Sequence, residues 1–161
     1  MKENDIKVGL RKITNPIGLV TAQKDKKRDV TTIAWMSKVS NHPPLIMMSI
    51  SPERYIHHLI QDTGEFGLSI LSEKQEDLAL YCGTKSAYEV DKFRDAPIET
   101  DQGATIKAPL IKESVVNFEC KVVNTMTAGD HTLFIGEVLA AYYEEDKKPL
   151  VMTDKMGTLE F

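Results

Sequence analysis

The sequence contains little cysteine, which argues against the disulfide frameworks and zinc centres that stabilise many small domains. Only Cys82 and Cys120 occur among its 161 residues. They form neither a Cys-x-x-Cys pair nor the paired cysteine and histidine spacing of a zinc site. We therefore predict two free thiols in a reducing compartment, rather than a disulfide, and no bound metal.

Long hydrophobic runs and an excess of positive charge are also missing. The longest apolar run, residues 45–50, is far shorter than the ~20 residues of a membrane span. Residues 1–5 lack the apolar stretch of a signal peptide. The formal net charge of −4 offers no basic field for nucleic acid or an acidic membrane. These features predict a cytoplasmic protein with neither a nucleic-acid nor a membrane partner.

Motifs of the common nucleotide-binding and hydrolytic folds are absent as well. The sequence has no Gly-x-Gly-x-x-Gly, no Walker loop and no Gly-x-Ser-x-Gly. This argues against a Rossmann domain, a kinase and a serine hydrolase. No internal repeat, low-complexity segment or linker divides the chain. Residues 1–161 are therefore expected to form a single domain.

The first half of the sequence does contain a series of strand patterns. Residues 16–22 and 30–37 are rich in β-branched and small residues, and the charged residues 24–29 between them are typical of a hairpin tip. Residues 45–51 are apolar on both faces. That pattern predicts a buried strand with both of its methionines in the core.

Short helices are predicted between these strands. Ser51 followed by Pro52 is typical of a helix start, with serine as the N-cap and proline in the first helical position. The helix is expected to end near Gly64. Ser72 and Gln75 have the spacing of a capping box, which predicts a second short helix.

The second half is again dominated by strand patterns. Residues 82–105 are irregular and polar, and a segment of that length in a compact domain is often functional. Two long β-rich stretches, 113–126 and 131–144, follow, and residues 150–153 form a last short strand. The sequence therefore predicts a mainly β fold, an antiparallel barrel with short flanking helices.

A few isolated side chains are candidates for ligand binding, and each has a structural alternative. Ser51 and Arg54 at a helix start could form an anion site, because free N–H groups and the helix dipole favour an anion there. The alternative is a surface arginine on a capped helix. Taken alone, Trp35 is more typical of a core or interface aromatic, His131 of a structural histidine, and Lys92 of a surface loop.

Several short motifs, in this order and spacing, resemble those of the flavin reductase-like, FMN-binding split-barrel family, and of its flavoredoxins most closely. The resemblance covers nearly the whole chain. Its motifs are NPIGLVT (15–21), VTTIAWM (30–36), PPLI (43–46), SISPERY (49–55), GEF (64–66), CGTKS (82–86), DKF (91–93), APLI (108–111) with ES (113–114), and GDHTLFIGEV (129–138).

The resemblance implies a Greek-key split barrel that forms a homodimer, with FMN bound non-covalently near the subunit interface and NAD(P)H as a candidate co-substrate. Because the flavin carries the chemistry, no side-chain nucleophile is expected, and His131 is the one candidate catalytic residue. The implied cofactor-binding residues are Asp29, Thr32, Ala34, Trp35, Met36, Ser37, Ser49, Ile50, Ser51, Arg54, Tyr55, Cys82, Ser86, Lys92 and His131.

Two positions depart from the family pattern. Asp29 stands where flavoredoxins have an asparagine, which removes a donor and could repel a phosphate or a reduced flavin. Ile56 stands where the helix carries a serine or threonine, so a hydroxyl contact to the phosphate is missing. The loss of one such hydrogen bond costs ~1 kcal/mol.

The resemblance favours an oxidoreductase in which FMN takes a hydride from NAD(P)H, or electrons from a reduced protein donor, and passes them to an acceptor. One alternative is an FMN electron carrier that never meets a nicotinamide. Another alternative is a non-catalytic flavin-binding or interaction module.

Overall fold

The computed structural model describes residues 6–153 and 155–158. Residues 1–5, for which the sequence predicts no signal peptide, lie outside the described residues, as do 154 and 159–161. The strands are β1 Asn15–Pro16, β2 Gly18–Lys24, β3 Lys27–Ile33, β4 Met36–Asn41, β5 Pro44–Ile50, β6 Glu65–Ile70, β7 Thr100–Gln102, β8 Pro109–Ile111, β9 Val116–Ala128, β10 His131–Tyr143, β11 Val151–Met152 and β12 Met156–Gly157. The α-helices are α1 Ile6–Leu10, α2 Tyr55–Thr63, α3 Glu76–Thr84 and α4 Lys92–Asp95.

Seven strands form one antiparallel sheet in the order β3-β2-β6-β9-β10-β5-β4. Its two longest members, β9 and β10, pair along most of their length, with register shifts near Gly136 and Ala140. Such irregularities bend and twist a strand pair, which allows the sheet to curl around its core. β3 and β4 are the two edges of this sheet, and β1-β11-β12 and β7-β8 form smaller sheets beside it.

The core consists of two clusters of buried apolar side chains. The larger cluster contains Phe66, Phe134 and Met48 and is covered by α2, which contributes Ile56 and Ile60. The smaller cluster, beneath α3, contains Ala79 and Cys82 among its buried members. No helix within the described part of the chain is both long enough and apolar enough to span a membrane.

The long strands, the capping box and the end of α2 agree with the sequence patterns. β9 and β10 occupy the two predicted β-rich stretches. The side-chain Oε1 of Gln75 accepts a hydrogen bond from the backbone N–H of Ser72 at 3.0 Å. α2 is followed by Gly64 with φ 68°, the left-handed conformation that glycine adopts at little cost.

The predicted strand 30–37 is wrong, because the chain breaks at Ala34 and Trp35. β3 ends before this dipeptide and β4 begins after it. The carbonyl of Trp35 accepts a hydrogen bond from the backbone N–H of Ser49 on β5 at 2.9 Å, and that of Ala34 accepts one from Met36 at 3.1 Å. These contacts turn the chain, so that β4 joins the opposite edge of the sheet from β3.

The predicted helix start at Pro52 is also wrong, because α2 begins at Tyr55. Ser51 instead closes a turn: its carbonyl accepts a hydrogen bond from the N–H of Arg54 at 3.1 Å, and its hydroxyl accepts one from Glu53 at 3.3 Å. Arg54 therefore occupies the N-cap position and makes no side-chain capping bond.

Three further expectations need correction. The charged hairpin tip is narrower than residues 24–29, since the strands run to Lys24 and from Lys27 and Asp29 is buried. Met48 is fully buried, but Met47 is only partly buried because its strand alternates between two environments. The segment 82–105 is less irregular than expected, because it contains the end of α3, all of α4 and β7.

Candidate functional site

A cleft of about 200 Å³ opens where three strands of the large sheet meet α2. Its wall is formed by the end of β3, the 34–35 break, the end of β5 and the start of β10. All of its lining residues except Thr31 and Ile33 belong to the predicted cofactor-binding set. The lining residues are Thr31, Thr32, Ile33, Ala34, Trp35, Ser49, Ile50, Arg54 and His131.

One wall of the cleft is aromatic. The ring centroids of Trp35 and His131 are 4.8 Å apart, with an angle of 45° between the ring planes. Trp35 remains 57% exposed, an unusual situation for so large an apolar side chain. The break between β3 and β4 turns Trp35 out of the sheet, and its exposed indole, with the tilted imidazole beside it, offers an aromatic surface against which a planar ring could pack.

His131 is held by the residue that precedes it. Its Nδ1 lies 2.7 Å from Oδ1 of Asp130, at the tight turn that joins β9 to β10. This hydrogen bond is the main reason why the pKa of Asp130 lies below its ordinary value. With Nδ1 occupied, Nε2 is the ring atom left for another partner. Asp130 was not among the predicted site residues, although its position next to His131 was the signal that could have identified it.

The opposite end of the cleft carries a positive charge. Arg54 is exposed at the start of α2, and its guanidinium reaches the carbonyl of Gly83 at 3.5 Å. The backbone carbonyl of Arg54 accepts a hydrogen bond from the N–H of His57 at 3.0 Å, but its side chain makes no capping bond to the N–H groups of the first turn. A guanidinium beside the N-terminus of a nine-residue helix is an arrangement suited to a phosphate or carboxylate.

The backbone of β3 offers further hydrogen-bonding groups. β3 is an edge strand, and Val30 uses neither of its backbone groups in the sheet: its carbonyl accepts from Lys92 at 2.6 Å, and its N–H donates to the side chain of Asp29 at 2.7 Å. Since backbone groups alternate in direction along a strand, those of Thr32 also point toward this open edge. Thr32 lines the cleft, so its N–H and C=O are available to the polar edge of a ligand.

Lys92 does not line the cleft but forms a buried ion pair behind it. Its ammonium Nζ lies 3.0 Å from Oδ1 of Asp29 and donates to the carbonyl of Val30 at 2.6 Å. Both charged side chains are almost completely buried, with exposures of 2% and 3%. Burial raises the pKa of Asp29 above its ordinary value, and the charge of Lys92 opposes part of that rise. Asp29, Lys92 and Arg54 therefore form one electrostatic group at this end of the cleft.

Cys82 lies behind the cleft, and Ser86 lies in the loop that follows α3. The carbonyl of Cys82 accepts a hydrogen bond from the hydroxyl of Thr31 at 3.4 Å, and burial raises the pKa of its thiol to about 12. The protonated, buried thiol is a packing group rather than a nucleophile. Ser86 accepts a hydrogen bond from the N–H of Tyr88 at 3.3 Å, in the loop after α3.

The remaining predicted residues lie at the margins of the cleft. Tyr55 packs edge-on against Tyr88, with ring centroids 5.2 Å apart. Met36 and Ser37 line a separate apolar groove that shares no lining residue with the cleft. Thus Asp29, Met36, Ser37, Ser51, Tyr55, Cys82, Ser86 and Lys92 do not line the cleft, and their contact with a cofactor stays a prediction.

Ile56, which departs from the family pattern, belongs to the core rather than to the phosphate end of the cleft. Ile56 is fully buried in the larger core cluster, so a hydroxyl there would lie in apolar surroundings. His57 also faces inward: its Nε2 lies 2.9 Å from the hydroxyl of Thr132, and its Nδ1 is buried without a hydrogen-bond partner among the described residues. Burial lowers the pKa of His57, which favours its neutral form. Neither residue offers a phosphate contact.

The chain matches the flavin reductase like domain family over residues 10–159. An NADH-dependent flavin reductase from Rhodococcus sp is 33% identical over 137 residues, which cover 85% of this chain and 73% of that protein. An NADH-dependent FAD reductase from Streptomyces globisporus is 31% identical over 126 residues, which cover 78% of this chain and 68% of that protein. An uncharacterized protein from Aeropyrum pernix is 33% identical over 129 residues, 80% of this chain, but the match spans only 49% of its length.

Solved structures show the same fold. The flavin reductase PheA2 in its native state superposes with a TM-score of 0.85 and 26% identity, and the match covers all of both chains. An FMN-binding protein from Thermus thermophilus with bound p-hydroxybenzaldehyde has a TM-score of 0.84 and 27% identity, covering 92% of this chain and 90% of that one. These similarities confirm the predicted mainly β split barrel.

Proposed function

Because the chain belongs to the flavin reductase-like domain family, we propose that it is an oxidoreductase whose cleft binds a flavin. A flavin bound there would supply the redox chemistry, with NAD(P)H or a reduced protein as the electron donor and a further acceptor downstream. The observation that carries this proposal is the cleft itself, with the Trp35 and His131 rings on one wall and Arg54 at its other end.

The residues of the cleft fit the three requirements of a flavin. The rings of Trp35 and His131 supply an aromatic surface for the isoalloxazine. The edge-strand backbone of Thr32 supplies hydrogen bonds for the polar side of the ring. Arg54, with the N-terminus of α2, supplies the anion site that a terminal phosphate needs.

His131 is the side chain that we assign to proton handling beside the flavin. Its Nδ1 is engaged by Asp130 at 2.7 Å, which fixes the orientation of the ring. The imidazole can then hold or donate a proton at Nε2, the nitrogen that Asp130 leaves free. Asp130 is a positioning residue in this scheme, because it acts only through His131.

We propose FMN as the flavin and a homodimer as the working form. A single phosphate group matches Arg54, the exposed cation at the cleft end. An apolar groove of about 320 Å³ begins at Met36, directly after the half-exposed Trp35. A second copy packed on this groove would shield the flavin ring from water. The cytoplasmic location and the closer relation to flavoredoxins also remain proposals.

Flavin binding and reduction can be measured directly by absorbance. The purified protein, titrated with FMN, should perturb the flavin spectrum, and NADH or NADPH under anaerobic conditions should bleach it. Bleaching by a reduced carrier protein alone would indicate an electron carrier instead. A protein that perturbs the spectrum of neither FMN nor FAD would contradict the proposal and favour an interaction module.

A further inference from the structure

The ion pair between Asp29 and Lys92 lies immediately behind the wall that carries the cleft. Lys92 Nζ contacts both the Asp29 carboxylate, at 3.0 Å, and the carbonyl of Val30, at 2.6 Å. Thr31, which follows Val30 on β3, lines the cleft. The charge state of this pair therefore acts on any anion that is bound at this end.

Asp29 removes positive charge from the site in two ways. Its carboxylate neutralises Lys92 and, with the Val30 carbonyl, occupies two of the three donors of the ammonium group. Asp29 also interacts electrostatically with Arg54. The group of Asp29, Lys92 and Arg54 thus carries a net charge of about +1, where two cations alone would supply about +2.

We propose that Asp29 is a specificity-determining residue that limits the affinity of the cleft for phosphorylated flavins. This inference rests on the proposed function, because it concerns the flavin that the cleft binds. Asp29 holds Lys92 in place while cancelling its attraction for a phosphate. FMN should then bind only modestly more tightly than riboflavin, which has the same ring without the phosphate, and FMN should exchange rapidly.

The chain offers a nearly isosteric variant for the test. Asp29→Asn keeps an Oδ1 that can accept from Lys92 and from the Val30 N–H, which lies 2.7 Å from Oδ1. Only the negative charge is lost, so the backbone of β3 should stay in place. The charge of the ammonium would then no longer be cancelled, and it would attract a ligand phosphate through the wall of the cleft.

The experiment measures dissociation constants for FMN and riboflavin by quenching of flavin fluorescence. Asp29→Asn should tighten FMN by about tenfold and change riboflavin by less than about twofold, and the added FMN affinity should fall with salt. The double variant Asp29→Asn with Lys92→Met should lose that gain, because the released cation is gone. Thermal unfolding of each variant shows which of them are folded.

The outcomes separate this inference from the proposed function. An equal change for FMN and riboflavin, or a gain that survives in the double variant, would overturn the role of Asp29 while leaving flavin binding intact. The unsubstituted protein provides a test that needs no variant to fold: a preference for FMN over riboflavin above about a hundredfold would overturn the inference. If that protein binds none of FMN, riboflavin and FAD, the proposed function itself fails.

Discussion

The phenol of Tyr142 on β10 donates a 2.6 Å hydrogen bond to Oε1 of Glu119, a fully buried carboxylate on β9. The same carboxylate accepts hydrogen bonds from the N–H groups of Ala104, Thr105 and Ile106 at 2.6–2.9 Å. Burial alone would raise the pKa of Glu119, but the hydrogen bonds from Thr105, Tyr142 and the backbone lower it to about 2. One ionised side chain thereby fastens the loop before β8 to the centre of the sheet.

The depressed pKa of Glu119 predicts a specific loss of stability in acid. Ionisation stabilises the fold fully above the ordinary pKa of 4.5, and this contribution is lost as the pH falls toward the folded value of about 2. Glu119→Gln should reduce the free energy of unfolding at pH 7 by on the order of 2 to 3 kcal/mol and flatten its decline below pH 5. Urea titrations from pH 7 to pH 3 measure both effects, and a variant with an unchanged pH slope would contradict the assignment.

The sequence predicted the parts of the structure that local patterns control. The β-rich character of the stretches that form β9 and β10 and the capping box of Ser72 and Gln75 are local properties, and the structure confirms them. The break after Ile33 was missed because residues 34–37 contain neither glycine nor proline to mark it, while the hydrogen bond that stabilises the turn comes from Ser49 on another strand.

The candidate site was predictable only to the same extent. Trp35, Arg54 and His131 lie within the motifs that carry the family resemblance, and the fold brings all three to one cleft. Asp29 was placed in a charged tip because its sequence neighbours are charged, whereas its partner, Lys92, comes from a distant helix. A buried ion pair of this kind leaves no periodic signal, because neither partner is near the other in the sequence.

Gly136 should not tolerate a side chain. A Cβ at this position would lie 2.5 Å from the ring of Phe66, inside the larger core cluster. Gly136→Ala should therefore destabilise the protein by about 1–3 kcal/mol through overpacking. Gly9→Ala is the control, because a Cβ added there would meet no atom of the described residues within 4 Å. Chemical denaturation should separate the two variants, and equal stabilities would mean that the barrel can shift around the added methyl group.

Position 56 is expected to affect stability rather than flavin affinity. Ile56→Thr buries a hydroxyl in the core, whereas Ile56→Val introduces a side chain of nearly the same shape as threonine without the hydroxyl. The threonine variant should therefore lower the free energy of unfolding by about 1–2 kcal/mol more than the valine variant. The two variants should bind FMN equally well. Calorimetric titration with FMN provides the measurement. Tighter FMN binding by the threonine variant alone would show that its hydroxyl reaches the phosphate after all.

Arg54 is the exposed cation of the cleft, so its removal should mainly lower the affinity for flavins that carry a phosphate. Arg54→Ala should weaken FMN by about tenfold or more, the value of a charge-assisted contact, and riboflavin by much less. Lys85→Ala, a change of another exposed cation close to the end of α3, serves as the control. Equal weakening of both flavins would place the role of Arg54 at the ring or in the fold of the cleft instead.

The apolar groove beside Trp35 should be the contact surface of a homodimer. It is lined by Leu45, Phe118 and Val138, which remain partly exposed in the single chain. Leu45→Glu should abolish the dimer and weaken flavin binding, because a charge would be buried in an apolar contact and the ring would lose its cover. Leu80→Glu, a charge placed on an exposed leucine of α3 outside the groove, should change neither property. Light scattering measures the mass at micromolar concentration. An unsubstituted protein with the 18.1 kDa mass of one chain would contradict the prediction, and a Leu45→Glu variant that remains dimeric would place the contact on another face.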